Sequence, residues 1–190
     1  MRPRFCLPLA VLLVLAGAAR AVETIRDEAG QLADVRARFA EAVDSASAAR
    51  ELVRFLDAQP KPDQRPVLQA YRAALEGLVG KHAHAPWTKY RHAKEGLARF
   101  EGLVEANPDS IEIRMLRFTT CKGLPEFFGM GPQAGADLGV LVELLATGAD
   151  PELPEDLRRG YLRWILEQGG PDPEQRRRLE RALAALPPDS

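Results

Sequence analysis

The stretch IEIRMLRFTTCKGLPEFFGMG, residues 111–131, decides the fold because its first part predicts a helix with two apolar faces. On a helical wheel, Ile111, Met115 and Phe118 cluster on one side, whereas Ile113 and Leu116 lie nearly opposite. A helix that is apolar on two sides is buried on both of them. This pattern predicts an all-α protein in which the helix packs between other helices.

Two narrow polar edges separate these apolar faces. Arg114, Arg117 and Cys121 lie on one edge, and Glu112 and Thr119 lie on the other. A guanidinium close to a core has to meet carboxylates or carbonyl oxygens, because its desolvation costs several kcal/mol when it is unpaired. The two arginines therefore need partners, and the identity of those partners bears on function.

The two arginines have a structural and a functional interpretation. In the structural one, they pair with acids of the preceding helix such as Glu95, Glu101 or Glu105. In the functional one, Arg114 and Arg117 form an anion clamp for a ligand carboxylate or phosphate, because the guanidinium fork of donors matches both groups. The structural interpretation is favoured, since two arginines alone are a weak signal of a ligand site.

Apolar residues recur every three or four positions from Ile25 onward, and no alternating strand pattern is present. Prolines and glycines interrupt the periodicity at PKPDQRP (60–66), NPDS (107–110) and GGPDP (169–173). The pattern predicts seven or eight helices, the later ones at roughly 135–147, 155–167 and 173–186. They form stacked helical hairpins, either tetratricopeptide-like or as an irregular helical bundle.

One segment is similar to a tetratricopeptide unit, a helix pair that repeats every 34 residues. LVEANPDS, residues 103–110, matches the end of such a unit, and Phe100 falls at its large aromatic position. Gly96 satisfies the small position only loosely, and the following 34 residues do not continue the repeat. The sequence therefore predicts one degenerate unit within a helical-hairpin fold.

The N-terminus has the features of a secretory signal peptide. Arg2 and Arg4 precede an apolar run that ends at Gly17, and Ala19-Arg20-Ala21 forms a small-x-small cleavage site. The run is shorter than the roughly 20 residues that a bilayer-spanning helix needs. Residues 1–21 are predicted to be removed on export, leaving residues 22–190 as one periplasmic or secreted helical domain without a membrane span.

Removal of this segment also affects charge and cysteine content. It takes away three arginines and no acid, so the net charge of the mature chain is more negative than the formal −1 of the whole chain. Nucleic acid is therefore not expected as a partner. Cys6 leaves with the signal peptide, so no internal disulfide is expected. Cys121 is either a buried, small apolar residue, which is favoured, or a thiol that pairs with another molecule.

Other residues of chemical interest give weaker signals. His82, His84 and His92 are close in sequence, but His82 and His84 are predicted in a loop and a full ligand set is missing, so no metal site is predicted. The sequence contains no Gly-x-Ser-x-Gly, no His-Glu-x-x-His and no glycine-rich phosphate-loop motif. Phe127, Phe128 and Met130 either plug the helical bundle or form a binding surface, and plugging is favoured; Trp87 has the same two interpretations.

Several residues between about 70 and 145 carry a resemblance to a known family. They are Lys81, Trp87, Lys89, Asn107-Pro108, the run Ile111 to Phe118, Leu124-Pro125 and Phe127-Phe128-Gly129. In these positions the chain resembles a family of small bacterial exported proteins. The resemblance implies an exported helical protein and implies no activity.

Two functions from different classes are predicted. The first is a non-catalytic exported helical protein, an interaction or scaffold module of the bacterial envelope that contacts another envelope protein. The alternative is a small-anion or small-ligand binding protein, or an enzyme, with a pocket near Arg114 and Arg117. Glu112, Trp87 and Phe128 complete the ligand-binding candidates, and no catalytic residue, cofactor or metal is predicted.

Overall fold

The computed structural model describes residues 28–59, 65–148, 150 and 153–188. Within these ranges the protein has eight α helices and no strand, so the predicted all-α fold is confirmed. The predicted signal peptide, residues 1–21, lies outside the described residues.

The eight helices follow one another through short connections. Their bounds are α1 (28–42), α2 (Ala46–Asp57), α3 (Pro66–His82), α4 (Pro86–Ala106), α5 (Ile111–Gly123), α6 (Gly131–Thr147), α7 (Glu155–Trp164) and α8 (Pro173–Ala184). A 3₁₀ turn, Glu126–Phe128, connects α5 to α6, and a π-helical turn, Ile165–Gly169, extends α7. The helices predicted near the C-terminus are thus confirmed to within a few residues.

Short polar side chains begin three of the helices. The hydroxyl of Ser45 accepts from the backbone N–H of Ala48 at the start of α2, as the polar stretch before that helix predicts. Ser110 caps α5 in the same way, and Asp172 forms a complete capping box at the start of α8. These caps fix where each helix begins, independently of its apolar face.

The helix α5 separates two hydrophobic cores. Ile113 and Leu116 pack in the first core, with residues of α1 to α4. Ile111, Met115 and Phe118 pack in the second core, with residues of α6, α7 and α8. The prediction of a helix buried on two opposite faces is therefore confirmed, and both polar edges of α5 lie at the boundary between the cores.

Two glycines allow α3 and α4 to approach closely. A Cβ added at Gly96 would lie 2.7 Å from the carbonyl oxygen of Ala73, and one at Gly80 would lie 3.2 Å from the carbonyl oxygen of Lys89. Helix α3 continues to His82, so the predicted loop position of His82 is wrong. Gly80 of α3 and Gly96 of α4 therefore permit close packing of the two helices.

Candidate functional site

The first polar edge of α5 carries a buried cluster of two arginines around one carboxylate. Asp137 of α6 is completely buried. Arg117 donates from Nε to its Oδ2 at 2.7 Å and from Nη2 to its Oδ1 at 2.5 Å. Arg114 donates from Nη1 to the same Oδ1 at 3.1 Å, and its Nε donates to the carbonyl oxygen of Pro108 at 2.6 Å. One buried carboxylate thus receives three charge-assisted hydrogen bonds.

The partner of the arginines differs from the expected ones. Glu95, Glu101 and Glu105 of α4 are all exposed, whereas the acid that meets both guanidinium groups belongs to α6, the following helix. The expected partners are therefore wrong, because the arginine edge of α5 meets α6 rather than α4. Both guanidinium groups face a carboxylate, which supports the structural interpretation over an anion clamp.

The second polar edge of α5 holds Glu112 in a separate buried network. Arg36 of α1 donates to both Glu112 oxygens, from Nε at 2.8 Å and from Nη2 at 2.6 Å. The hydroxyl of Tyr71, in α3, donates to Oε1 of Glu112 at 2.6 Å. Tyr161 of α7 shares a hydrogen bond with Tyr71. The network therefore links α1, α3, α5 and α7 at the boundary between the two cores.

Burial and charge keep the two phenols and the guanidinium of this network protonated. Burial raises the pKa of both Tyr71 and Tyr161, and the nearby Glu112 carboxylate raises each further, so both phenols stay protonated. The hydrogen bond to Glu112 raises the pKa of Arg36 against the opposing effect of its own burial. A phenol that stays protonated and a paired carboxylate provide cross-linking between helices rather than a general acid or base.

Trp87 and Phe128 lie elsewhere, on an aromatic surface formed by the exposed Trp87, Tyr90 and Phe127 and the partly buried Phe128. Phe128 stacks on Tyr90 with ring centroids 5.3 Å apart, and Phe127 stacks on Phe128 at 4.8 Å. Trp87 lies one helical turn before Tyr90 on α4 and is 75% exposed, and Phe127 is 78% exposed. The favoured plugging role is therefore wrong for Phe127 and Trp87, because neither the 3₁₀ turn nor the first turn of α4 faces a core.

A third ion-pair cluster joins α3 to α4. The buried Glu76 carboxylate accepts from Arg72 Nη1 at 2.5 Å through Oε1, and its Oε2 pairs with His92 Nδ1 at 2.8 Å. Burial acts against ionisation, but the hydrogen bonds from His92 and Arg72 outweigh it and lower the pKa of Glu76. Sequence reasoning missed this cluster, although the spacing of Arg72 and Glu76, four residues apart on one helix, is typical of an ion pair.

Glu76 and His92, together with Glu95, also have the geometry of a possible cation site. One ligand atom from each of the three residues lies within 4.8 Å of the others. Both oxygens of Glu76 are already engaged, one by an arginine. A cation here would have to replace the His92 contact and tolerate the Arg72 charge nearby. The arrangement is therefore better suited to an ion-pair role, and the absence of a metal site stays a prediction.

A cavity of about 290 Å³ lies between α2, α3 and α4. Its lining consists of Leu56, Asp57, Gln59, Leu68, Gln69, Arg72, Arg99 and Leu103. Arg72 and Asp57 on its wall pair with each other at 2.9 Å. The lining contains none of the five candidate ligand-binding residues, and it brings no nucleophile next to a base.

The five candidate residues therefore occupy three separate places. Arg114 and Arg117 hold Asp137, Glu112 holds Arg36 and Tyr71, and Trp87 and Phe128 belong to the aromatic surface. Of these three places, the aromatic surface is the one that is accessible to a partner. Their contacts do not support the prediction that all five residues surround one pocket.

No protein-family model, curated protein or solved structure matches this chain. Among the described residues, no helix has the length and apolar character needed to cross a membrane. Function is therefore inferred from the contacts and exposure of the residues themselves.

Proposed function

We propose that this chain is an exported, non-catalytic interaction module of the bacterial envelope that contacts another envelope protein through the aromatic surface. The observation that carries the proposal is the stack of Tyr90, Phe128 and Phe127 beside the exposed ring of Trp87. Single exposed apolar residues are ordinary, but adjacent exposed aromatics are typical of contact surfaces. A partner that covers these rings removes apolar surface from water.

Two features of the sequence support the export part of the proposal. The N-terminal segment has the basic start, short apolar run and Ala-x-Ala ending of a signal peptide. The resemblance between about residues 70 and 145 also implies an exported helical protein. Trp87, Phe127 and Phe128 belong to the residues that carry this resemblance.

The alternative function, a ligand site or active site at Arg114 and Arg117, has less support. A ligand anion at this place would compete with Asp137, which already receives hydrogen bonds from both guanidinium groups. Asp137 is fixed in α6 and completely buried, so it cannot move aside without exposing a charge to the core. The aromatic surface needs no such rearrangement to accept a partner.

A photo-crosslinking experiment tests the proposed function. A benzophenone amino acid replaces Trp87 in the full chain, expressed in a bacterial host, and the matched control carries it at Glu180, an exposed position on α8. The expected result is a crosslinked product in the envelope fraction from position 87 and none from position 180. The intact mass of the recovered chain shows whether it begins at Val22. Absence of a product from position 87, or a cytoplasmic chain beginning at Met1, overturns the proposal.

A further inference from the structure

The outward face of α4 is unusual in its composition. The buried positions of this helix are Ala93, Gly96, Phe100 and Val104. One exposed side, here called the α4 face, spans about 120° of the helical wheel, and the exposed residues Glu95, Arg99 and Ala106 lie beside it. Each of its residues is exposed; they are Trp87, Tyr90, Arg91, Lys94, Ala98, Glu101, Gly102 and Glu105.

The two halves of the α4 face differ in charge and size. The first half, residues 87–94, carries two large aromatics and two cations, Arg91 and Lys94. The second half, residues 98–105, carries two small residues and two acids, Glu101 and Glu105. Each half therefore offers what the other lacks: positive against negative charge, and large against small side chains.

The positions are also symmetric about residue 96. If a second copy of α4 lies antiparallel to the first, each α4-face residue before position 96 lies opposite a face residue of the second copy. That residue is equally many positions after 96. Arg91 then lies opposite Glu101 of the second copy, and Tyr90 lies opposite Gly102 of the second copy. A twofold axis produces each of these contacts twice, so the α4 face is complementary to itself.

We propose that two copies of this chain associate through antiparallel pairing of their α4 faces about a twofold axis near residue 96. This inference rests on the proposed interaction function, because it names a second copy as a partner at a face that shares Trp87 and Tyr90 with the aromatic surface. Arg91 is available for this contact, because its ion pair with Glu95 on the same helix is weak. Arg91 Nε lies 3.9 Å from Glu95 Oε1, and both side chains are largely exposed.

The small residues of the second half support a close approach of the helices. Gly102 is exposed within α4, and a Cβ added there meets nothing within 4 Å, so packing inside the protomer does not require a glycine. Glycine weakens a helix interior relative to alanine. Contact with an aromatic ring of a second copy supplies a reason for it, because interaxial distance depends on the side chains at the crossing point.

Charge reversal tests the register of this dimer. The protein is purified as the host produces it, and its dissociation constant is measured by sedimentation over a wide range of concentration. In R91E and in E101R, like charges face each other at both symmetric contacts, so dimerisation is expected to weaken about tenfold or more. Arg177→Glu and Glu180→Arg, on exposed positions of α8, are the matched controls and are expected to dimerise like the parent.

The mixture of R91E with E101R gives the decisive measurement. One copy then presents acids at positions 91 and 101 and the other presents bases, so both contacts become attractive again and a heterodimer is expected. The double variant R91E/E101R is expected to dimerise as well. Circular dichroism checks that each variant is folded, which is expected because both positions are exposed.

Three results overturn the dimer: a parent protein that stays monomeric, single variants that dimerise like the parent, or a mixture that fails to restore association. The crosslinking experiment separates this failure from failure of the proposed function. A product at position 87 with a different envelope protein, together with a monomeric parent, rejects the dimer and keeps the interaction function. Loss of every crosslinked product rejects the interaction function itself.

Discussion

Arg117 and Asp137 form a two-pronged ion pair that joins α5 to α6. Nε and Nη2 of the guanidinium donate to different oxygens of the carboxylate, at 2.7 and 2.5 Å. The carboxylate is completely buried, so its charge depends on arginine for compensation. Arg114 adds a third hydrogen bond to Asp137 from the more exposed end of the cluster, where it also binds the carbonyl oxygen of Pro108.

Replacement of Arg117 by alanine is expected to lower the free energy of unfolding by about 3–5 kcal/mol, because it removes two of the three hydrogen bonds to a buried carboxylate. Arg114→Ala is expected to cost less, since Asp137 keeps both hydrogen bonds to Arg117. Urea denaturation midpoints at neutral pH measure both effects. An Arg117→Ala variant as stable as the parent contradicts the structural role and restores the ligand-site interpretation.

The apolar pattern of α5 was enough to predict its two-sided burial but not the partners of its polar edges. The wheel places Arg114 and Arg117 on one edge, yet it contains no information about which neighbouring helix faces that edge. Asp137 has only apolar or small neighbours in sequence, GADLG, so nothing local distinguishes it from a solvent-exposed acid. Partner choice depends on the packing of α6 against α5, which is a tertiary property.

The aromatic surface was only partly predictable for the same reason. The sequence identifies Trp87 and Phe128 as candidates and favours burial over exposure, whereas Trp87 is exposed. Stacking of Phe128 on Tyr90 depends on the 3₁₀ turn returning to the start of α4. The sequence alone does not single out Tyr90. Its importance depends on its position one turn after Trp87 and on its contact with Phe128, which is distant in sequence.

Gly96→Ala is expected to destabilise the protein by about 1–3 kcal/mol, because the added Cβ lies 2.7 Å from the carbonyl oxygen of Ala73 and a backbone atom cannot move aside easily. Gly135→Ala, within α6, is the matched control. No atom lies within 4 Å of its added Cβ, so it is expected to stabilise by about 0.5–1 kcal/mol. Thermal midpoints of the two variants compare the effects directly, and equal shifts of the same sign contradict the close approach of α3 and α4.

The thiol of Cys121 is expected to be unreactive in the folded protein. Burial raises its pKa to about 11, with a further contribution from the Asp137 carboxylate, so little thiolate is present near neutral pH. Labelling with a thiol-specific chromogenic disulfide tests this in a Cys6→Ser chain, where Cys121 is the single cysteine. The label is expected to react slowly under native conditions and rapidly in urea. Equally rapid labelling in both conditions contradicts the burial of this residue.

Acidification is expected to weaken the protein through Glu76. The hydrogen bonds from His92 and Arg72 outweigh the effect of burial and hold the pKa of Glu76 below its unfolded value of about 4.3. A carboxyl whose pKa is lower in the folded state contributes stability that is present above the unfolded pKa and is lost as the pH falls through the folded pKa. The urea midpoint of the parent is therefore expected to decrease below about pH 4.5.

Glu76→Gln separates this contribution from the general effect of acid. At neutral pH the variant is expected to be less stable than the parent by roughly 2 kcal/mol, because charge-assisted hydrogen bonds to Arg72 and His92 are replaced by weaker ones. The difference is expected to shrink as the pH falls, since the parent carboxylate becomes protonated while the amide does not titrate. Glu51→Gln, on an exposed position of α2, is the control and is expected to follow the parent at every pH. A difference between Glu76→Gln and the parent that is the same at low and neutral pH contradicts the assigned role of the Glu76 carboxylate.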